Sequence, residues 1–455
     1  MMSWLLGCAL VLTACGSSDG GGGTGGSGGG NATGGAPATG GNPGTGGQGE
    51  GTGGQLSTGG HSGGSGGSVS TGGSNATGGA TATGGSGGHA GGAGGAGGTK
   101  ATGGAGGAGG AGGKPGTGGS AGGAAGSSSN ASICQFASGL NVAWVNFAND
   151  VPSPNLTTFN TIFKNTYNAG GRIVRWWFHT NGTVTPGYDS NGMAKALQQS
   201  HIDGVKAILN AAHSNGISVN ISLWSFDMLQ GMESIPSSVM QNNLNLLTQD
   251  ANRQAYIDNY LTPLVMALQG TPGLYSYEIF NEPEGMSTNG WTSQKGGMEI
   301  DEMYIQKTVN WFAAAIHAAD PTVLVTNGAV TFDYCSTVSG KSNKYSDSAL
   351  RSVGGKQSGT LDFYEVHYYT SNGTSNSAFM NNASHWGLDK KLVMGEFAAQ
   401  ATENVAQNDL YTHLYDAGYD GAWAWSYDAD YVWPAMQQAM QNVYNAHTSI
   451  VGECP

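Results

Sequence analysis

Two glutamates stand where a carboxylate is hardest to accommodate: Glu282, in Ile-Phe-Asn-Glu-Pro at 279–283, and Glu396, in Val-Met-Gly-Glu-Phe at 393–397. Each closes a short apolar, strand-like run, and burying a charge there is costly unless a polar cavity receives it. A pair of carboxylates can divide the work of opening an acetal. One protonates the departing oxygen while the other attacks the anomeric carbon or activates water, and two such groups are the minimum equipment for cleaving a glycosidic bond.

The elements that must position this pair follow from the hydrophobic pattern. From about residue 133, short runs rich in Val, Ile, Trp and Phe alternate with longer stretches of helical period, which predicts repeated β-α units. Strands are predicted at 140–147, 172–178, 217–224, 274–280, 323–326, 361–367, 391–396 and 421–426. Helical spacing is clearest in Tyr256, Ile257, Tyr260, Leu261, Leu264, Val265 and Leu268, and in Ile305, Val309, Phe312 and Ile316; a last helix carries Met436, Met440 and Val443. Eight such units predict an α/β fold of the (β/α)8 TIM-barrel type, in which functional residues gather at the C-terminal ends of the strands. A doubly wound open sheet is the competing architecture, but no Gly-x-Gly-x-x-Gly follows the first strand.

Polar and aromatic residues do fall at the predicted strand ends. Arg175 and Trp177 lie late in strand two, Asn281 and Glu282 end strand four, His367 and Tyr369 end strand six, Glu396 ends strand seven, and Trp425 lies near the end of strand eight. Any one has an ordinary explanation as a turn, a satisfied core histidine or a packed ring. Their coincidence on strand ends predicts a catalytic site. A nucleophilic glutamate must stay ionised, which Arg175 and a Tyr369 hydroxyl favour, whereas a proton donor must keep its proton near neutral pH.

With these residues in place, the stretch 135–447 resembles the retaining glycoside hydrolases of clan A, and within them family 5. The resemblance implies that Glu282 is the general acid/base, Glu396 the nucleophile and Asn281 the partner of the sugar 2-hydroxyl. It implies that Arg175, His367 and Tyr369 orient the carboxylates and that Trp425 forms an aromatic floor under the sugar. Retention implies carboxyl groups about 5–5.5 Å apart, against about 6.5–9.5 Å for inversion. Gly139-x-Asn141-x-x-Trp144, Arg175-x-Trp177 with Asn181-Gly182, Trp224, Asp362-Phe363-x-x-x-His367-x-Tyr369 and Glu396-Phe397 look like the β-mannanase branch. Many cellulases of the family have a histidine ending strand three, where this chain has Ser222-Leu223-Trp224-Ser225. Two departures stand out: Gly395 replaces a second acidic residue frequent in those mannanases, and Glu365 occupies a position usually small or hydroxylated. The resemblance therefore implies a retaining endo-β-1,4-mannanase acting on a β-linked polysaccharide as a monomer. A retaining β-1,4-glucanase and a non-hydrolysing carbohydrate-binding surface protein are the alternatives. Further ring faces for sugar stacking are offered by Trp176, Trp177, Trp224, Trp291, Trp423 and Trp433, several of which must pack the barrel instead.

The remaining sequence concerns delivery. Residues 1–14 carry a short apolar core, too short to span a bilayer, and read as a signal peptide. Leu12-Thr13-Ala14-Cys15 resembles a bacterial lipobox, which implies lipidation at Cys15 and a secreted protein anchored to the cell envelope, at the outer membrane or cell surface. Residues 15–130 are Gly with Ser, Thr, Ala and Asn and almost no apolar side chains, so they cannot fold by burial and are predicted to be a disordered Gly-rich tether. The catalytic domain is then 131–455. The tether's two acidic and two basic side chains cancel, so the formal charge of -13 falls on that domain, which argues against nucleic acid as a partner. Cys134 and Cys454 bracket the domain and are candidates for a disulfide that leaves Cys335 free; three buried thiols are the alternative. No His pair or His-Glu-x-x-His points to a metal, and no motif points to a cofactor.

Overall fold

The computed structural model describes residues 134–232, 235–427 and 432–452. Cys15, the signal and tether, and Cys454 lie outside the described residues. Eight parallel strands close into a barrel in sequence order: β1 Ala137–Ala143, β2 Ile173–Thr180, β3 Ser218–Ser225, β4 Leu274–Asn281, β5 Leu324–Ala329, β6 Tyr364–Tyr368, β7 Leu392–Phe397 and β8 Gly421–Ala424. Closure is made by β1 on β8, with Ala137 opposite Gly421 and Leu140 opposite Ala424. Seven of these strands are buried along their whole length, as expected when helices cover a parallel sheet.

The barrel is filled differently at its two ends. At the N-terminal end Ala137, Ile173, Tyr275, Leu324, Phe363, Val393 and Trp423 form a separate apolar cluster. Toward the C-terminal end the inward positions become Asn141, Arg175, Asn220, Glu278, Glu365 and His367, all buried. The apolar layer therefore serves as the floor of a polar chamber.

The helices obey their spacing. Glu302–Ala319 buries Ile305, Val309, Phe312 and Ile316, and its N-cap Asp301 accepts from the Met303 amide at 2.8 Å. The stretch predicted around 256–268 forms two short helices, Asp250–Tyr256 and Thr262–Leu268, joined by a π-turn over Ile257–Leu261. Pro263 cannot donate to the Asn259 carbonyl, and the Leu197 amide takes that acceptor instead at 2.9 Å. Between β6 and β7 the described residues form short 3-10 turns in place of an α-helix; the last, Ala383–Trp386, seals the barrel wall with Trp386 stacked on Phe332 at 3.6 Å.

Strand one is displaced from its predicted range. It ends at Ala143, whose φ is +56°, because the amides of Val145 and Asn146 turn to the Asp150 carboxylate at 2.7 and 2.8 Å. Trp144 thus belongs to the loop above the barrel. Strand eight likewise stops at Ala424, and Trp425 sits just beyond it, bridged to Ala398. Cys134 is disulfide-bonded, and Cys335 is free and buried. Among the described residues no helix is long and apolar enough to cross a membrane.

Candidate active site

Arg175 is the centre of the chamber. Its guanidinium is fully buried and donates from Nε and Nη2 to the two oxygens of Glu278, both at 2.6 Å, in a forked pair. Nη1 reaches Asn141 Oδ1 at 2.8 Å and Glu396 Oε1 at 2.7 Å, and Nη2 reaches Asn281 Oδ1 at 2.8 Å. Nε also lies 3.0 Å from Glu365 Oε1. The surrounding carboxylates outweigh burial and raise the guanidinium pKa well above its ordinary value, so its charge is permanent.

Strand irregularities allow so many side chains to converge. The β4–β5 register shifts between Glu278 and Asn281, so residues three apart both reach Arg175. The β6–β7 register passes from Val366–Met394 to His367–Glu396 and skips Gly395, which turns Glu396 inward. Asn141 holds this bulge by donating from Nδ2 to the Gly395 carbonyl at 2.8 Å. Glu282 follows β4 in a left-handed conformation, φ 46° and ψ 52°, with its amide donating to the Gly328 carbonyl at 2.8 Å. For a residue other than glycine this costs on the order of 1–3 kcal/mol and marks a functional constraint.

The two predicted glutamates meet across His367. The imidazole donates from Nδ1 to Glu282 Oε1 at 2.9 Å and lies 3.7 Å from Glu396 Oε1. Glu396 also accepts from the Tyr369 hydroxyl at 2.9 Å. Burial would lower the His367 pKa, but the Glu396 charge and the Glu282 and Glu365 carboxylates overcome it and hold His367 up at about 10. Burial raises the pKa of Glu282, reinforced by the Glu396 charge and only partly opposed by His367. The Glu282, His367 and Glu396 donor atoms all fall within 4.8 Å of one another. Both glutamate side chains keep a little exposure, 13% for Glu282 and 6% for Glu396, whereas Arg175 and His367 have none. Of these four side chains only the two glutamates are open to solvent.

These side chains sit on a described domain that matches the cellulase family, glycosyl hydrolase family 5, over residues 129–431. The chain belongs to that family. It is 32% identical to a mannan endo-1,4-beta-mannosidase of Mytilus edulis over 68% of this chain and 88% of that one. It is 31% identical to a mannan endo-1,4-beta-mannosidase of Cryptopygus antarcticus over 65% and 81% respectively. The structure of the beta-mannanase from Mytilus edulis superimposes with a TM-score of 0.61 at 32% identity, covering 68% of this chain and 91% of that one.

Among the aromatic residues, Trp425 is partly exposed beside Trp177, at a ring separation of 5.6 Å, and beside Trp144, at 6.4 Å. Trp177 is itself buried, with the Arg175 guanidinium 5.7 Å from its ring. The expectation that Trp224 offers a face to sugar needs correction: it is 1% exposed, packed on His179 at 4.4 Å and Tyr256 at 5.6 Å. Trp176 and Trp423 are also core residues.

Glu278 and Asp227 are buried acids of the site that lie away from the marked strand ends. Glu278 interrupts an apolar run just as Glu282 does, and that was its signal; burial lifts its pKa to about 7 against the pull of Arg175. Asp227, in the turn after β3, accepts from Ser225 Oγ at 2.7 Å, and burial, together with the nearby Glu282, raises it to about 6. The two departures from the mannanase pattern prove to be one feature, because Glu365 lies over Gly395. Glu278, Glu365 and His367 also place donors within 4.8 Å of one another, as a metal site would, but the Arg175 guanidinium already bridges the two carboxylates.

Proposed function

We propose that this family 5 member is a retaining endo-β-1,4-mannanase, with Glu396 as nucleophile and Glu282 as general acid/base. One observation carries the mechanism: an oxygen of Glu282 and an oxygen of Glu396 lie within 4.8 Å of each other, in keeping with the about 5–5.5 Å of a retaining pair rather than the about 6.5–9.5 Å of an inverting one. Glu396 attacks the anomeric carbon as Glu282 gives its proton to the departing glycosidic oxygen, leaving a glycosyl ester on Glu396. Glu282, now a carboxylate, takes a proton from water, which attacks the same carbon and frees Glu396 with net retention. Arg175 and Tyr369 hold the nucleophile in place by hydrogen bonds to its two oxygens; burial favours the protonated form of Glu282. Asn281 is assigned to the sugar 2-hydroxyl and Trp425 to the floor beneath the ring. Mannan as the substrate is supported by the names of the two relatives and by the absence of a histidine from Ser222-Leu223-Trp224-Ser225. Lipidation at Cys15 and attachment to the cell envelope belong to the same proposal, supported by the lipobox-like Leu12-Thr13-Ala14-Cys15 and the Gly-rich composition that follows it.

The test uses Glu396→Ala and Glu282→Ala on galactomannan, glucomannan, a soluble cellulose derivative and an aryl β-mannoside, with and without azide. The expected result is loss of mannan hydrolysis in both variants and, for Glu396→Ala, azide-dependent formation of the α-mannosyl azide. Wild-type rates in either variant refute the assignments, and wild-type activity confined to glucans refutes mannan.

A further inference from the structure

The mechanism above leaves Glu365 without a task. Its side chain is fully buried on β6, two residues before His367. Arg175 is already satisfied by the forked pair with Glu278, and Glu365 receives its Nε only as a second, longer contact at 3.0 Å. Asn220 Nδ2 reaches Glu365 Oε2 at 3.4 Å, a weak bond. On its other side Oε1 faces His367 Nε2 at 3.8 Å, and that ring nitrogen has no hydrogen-bond partner. At 3.8 Å between two fully buried groups this is a charge contact and not a hydrogen bond.

The site is built around this carboxylate. A Cβ added to Gly395 would lie 2.3 Å from Glu365 Oε1, and its three nearest atoms would all belong to Glu365. Gly395 has no positive φ that demands glycine, so its missing side chain is explained by the space Glu365 fills. Either strand could deliver a carboxylate to this point, but not both.

We propose that Glu365 is a positioning residue for hydrolysis: its carboxylate, seated in the space left by Gly395, fixes the His367 ring so that Nδ1 serves Glu282. The inference rests on Glu282 being the acid/base. Each ring nitrogen faces a carboxylate, Nδ1 that of Glu282 at 2.9 Å and Nε2 that of Glu365 at 3.8 Å, and the form with hydrogen on both nitrogens, the protonated imidazole, suits both. The groups around Glu365 are Arg175 from β2, Asn220 from β3, Glu278 and, toward the floor, Tyr275 from β4, and His367 itself, with Glu396 beyond Gly395 on β7. Of these, Arg175 opposes protonation of His367, so the carboxylates must supply the compensating charge.

The experiment reads the ring and the reaction separately. In Glu365→Gln the nitrogen NMR signals of His367 should show the ring losing its proton at a lower pH than in wild type. The same variant should lose about 10- to 100-fold in kcat on mannan, the scale of a misplaced catalytic group, with KM little changed. Glu365→Ser combined with Gly395→Asp returns a carboxylate from the neighbouring strand and should restore the His367 signature and most of kcat. An unchanged His367 titration in Glu365→Gln overturns the proposal whatever happens to activity. If that variant does not fold, the paired exchange decides: failure to recover the protonated ring also overturns it. Because the NMR readout needs no turnover, a chain that hydrolyses no polysaccharide refutes the proposed function and not this wiring.

Discussion

Replacing Tyr369 by phenylalanine removes a hydrogen bond at the nucleophile. The hydroxyl donates to Glu396 Oε2 at 2.9 Å, and the ring is partly buried, so Phe keeps the ring and removes the hydroxyl. A hydrogen bond to a charged acceptor contributes about 1.5–3 kcal/mol. Its effect differs between the two chemical steps. Glycosylation consumes the Glu396 charge, so a weaker grip on the free carboxylate does not oppose that step. Deglycosylation regenerates the charge, and its transition state loses part of the bond. With the charge about half developed, the loss is about 0.8–1.5 kcal/mol, or roughly 4- to 13-fold in rate.

Rapid mixing with an activated aryl β-mannoside separates the steps, because the phenolate burst reports glycosylation and the steady state reports deglycosylation. For Tyr369→Phe the burst should persist, the steady-state kcat should fall by that factor, and KM should fall with it as the glycosyl-enzyme accumulates. A slowed burst with an unchanged steady state would refute the reasoning, since the hydroxyl would then act before the nucleophile is consumed. A loss far beyond 100-fold would also refute it, as no single orienting hydrogen bond is worth so much.

Three further outcomes follow from the buried groups. His367→Asn removes the positive charge that favours ionised Glu282, leaving burial to raise its pKa further; the alkaline limb of kcat/KM should move to higher pH, and a move to lower pH contradicts the wiring. Glu284 is buried against Tyr345 and the Val330 amide, and burial raises its pKa from 4.5 to about 7. The folded chain thus holds a proton that the unfolded chain releases, so this group makes stability decline as pH rises through that window. Glu284→Gln should give a shallower pH dependence of Tm there, and an unchanged slope counts against the assignment. Trp386→Ala deletes the stack on Phe332 and the bond from Nε1 to Tyr419 at 2.8 Å. Urea unfolding should show a loss of about 3–5 kcal/mol, and a change below about 1 kcal/mol would mean that the turn before β7 is not structural.

The barrel was legible because its strands are continuous apolar runs, and the pair Glu282 and Glu396 because a carboxylate at the end of such a run is conspicuous. What the sequence concealed depends on strand irregularities. A regular strand alternates faces with a period of two, which would set Glu278 and Asn281 on opposite sides; the irregularity on β4 brings both to Arg175. Residue spacing alone likewise could not show that Gly395 is skipped and that Glu365 occupies its space. Trp224 misled for a related reason: it pairs with Thr180 just past a register shift on β2, and its ring packs around His179. The 3-10 turns before β7 escaped notice because a segment without periodicity carries no signal for what replaces a helix.

The chamber sets four carboxylates, Glu278, Glu282, Glu365 and Glu396, against two cations, Arg175 and His367. Full ionisation would leave two uncompensated negative charges where solvent barely reaches, a cost that protons remove more cheaply than any rearrangement. One proton belongs on Glu282, whose pKa is raised by burial, and the other on Glu278, whose pKa burial lifts to about 7. The site is then neutral with its proton donor loaded and its nucleophile charged. Under the proposed mechanism glycosylation turns Glu396 into an ester and Glu282 into a carboxylate, so the net charge stays the same while the negative charge crosses from one glutamate to the other. His367 stands between them, 2.9 Å from Glu282 and 3.7 Å from Glu396, and its positive charge serves the carboxylate at either stage. A cation placed to favour both ends of the transfer need not move as the reaction proceeds, which gives this buried and otherwise costly cluster a catalytic reason to exist.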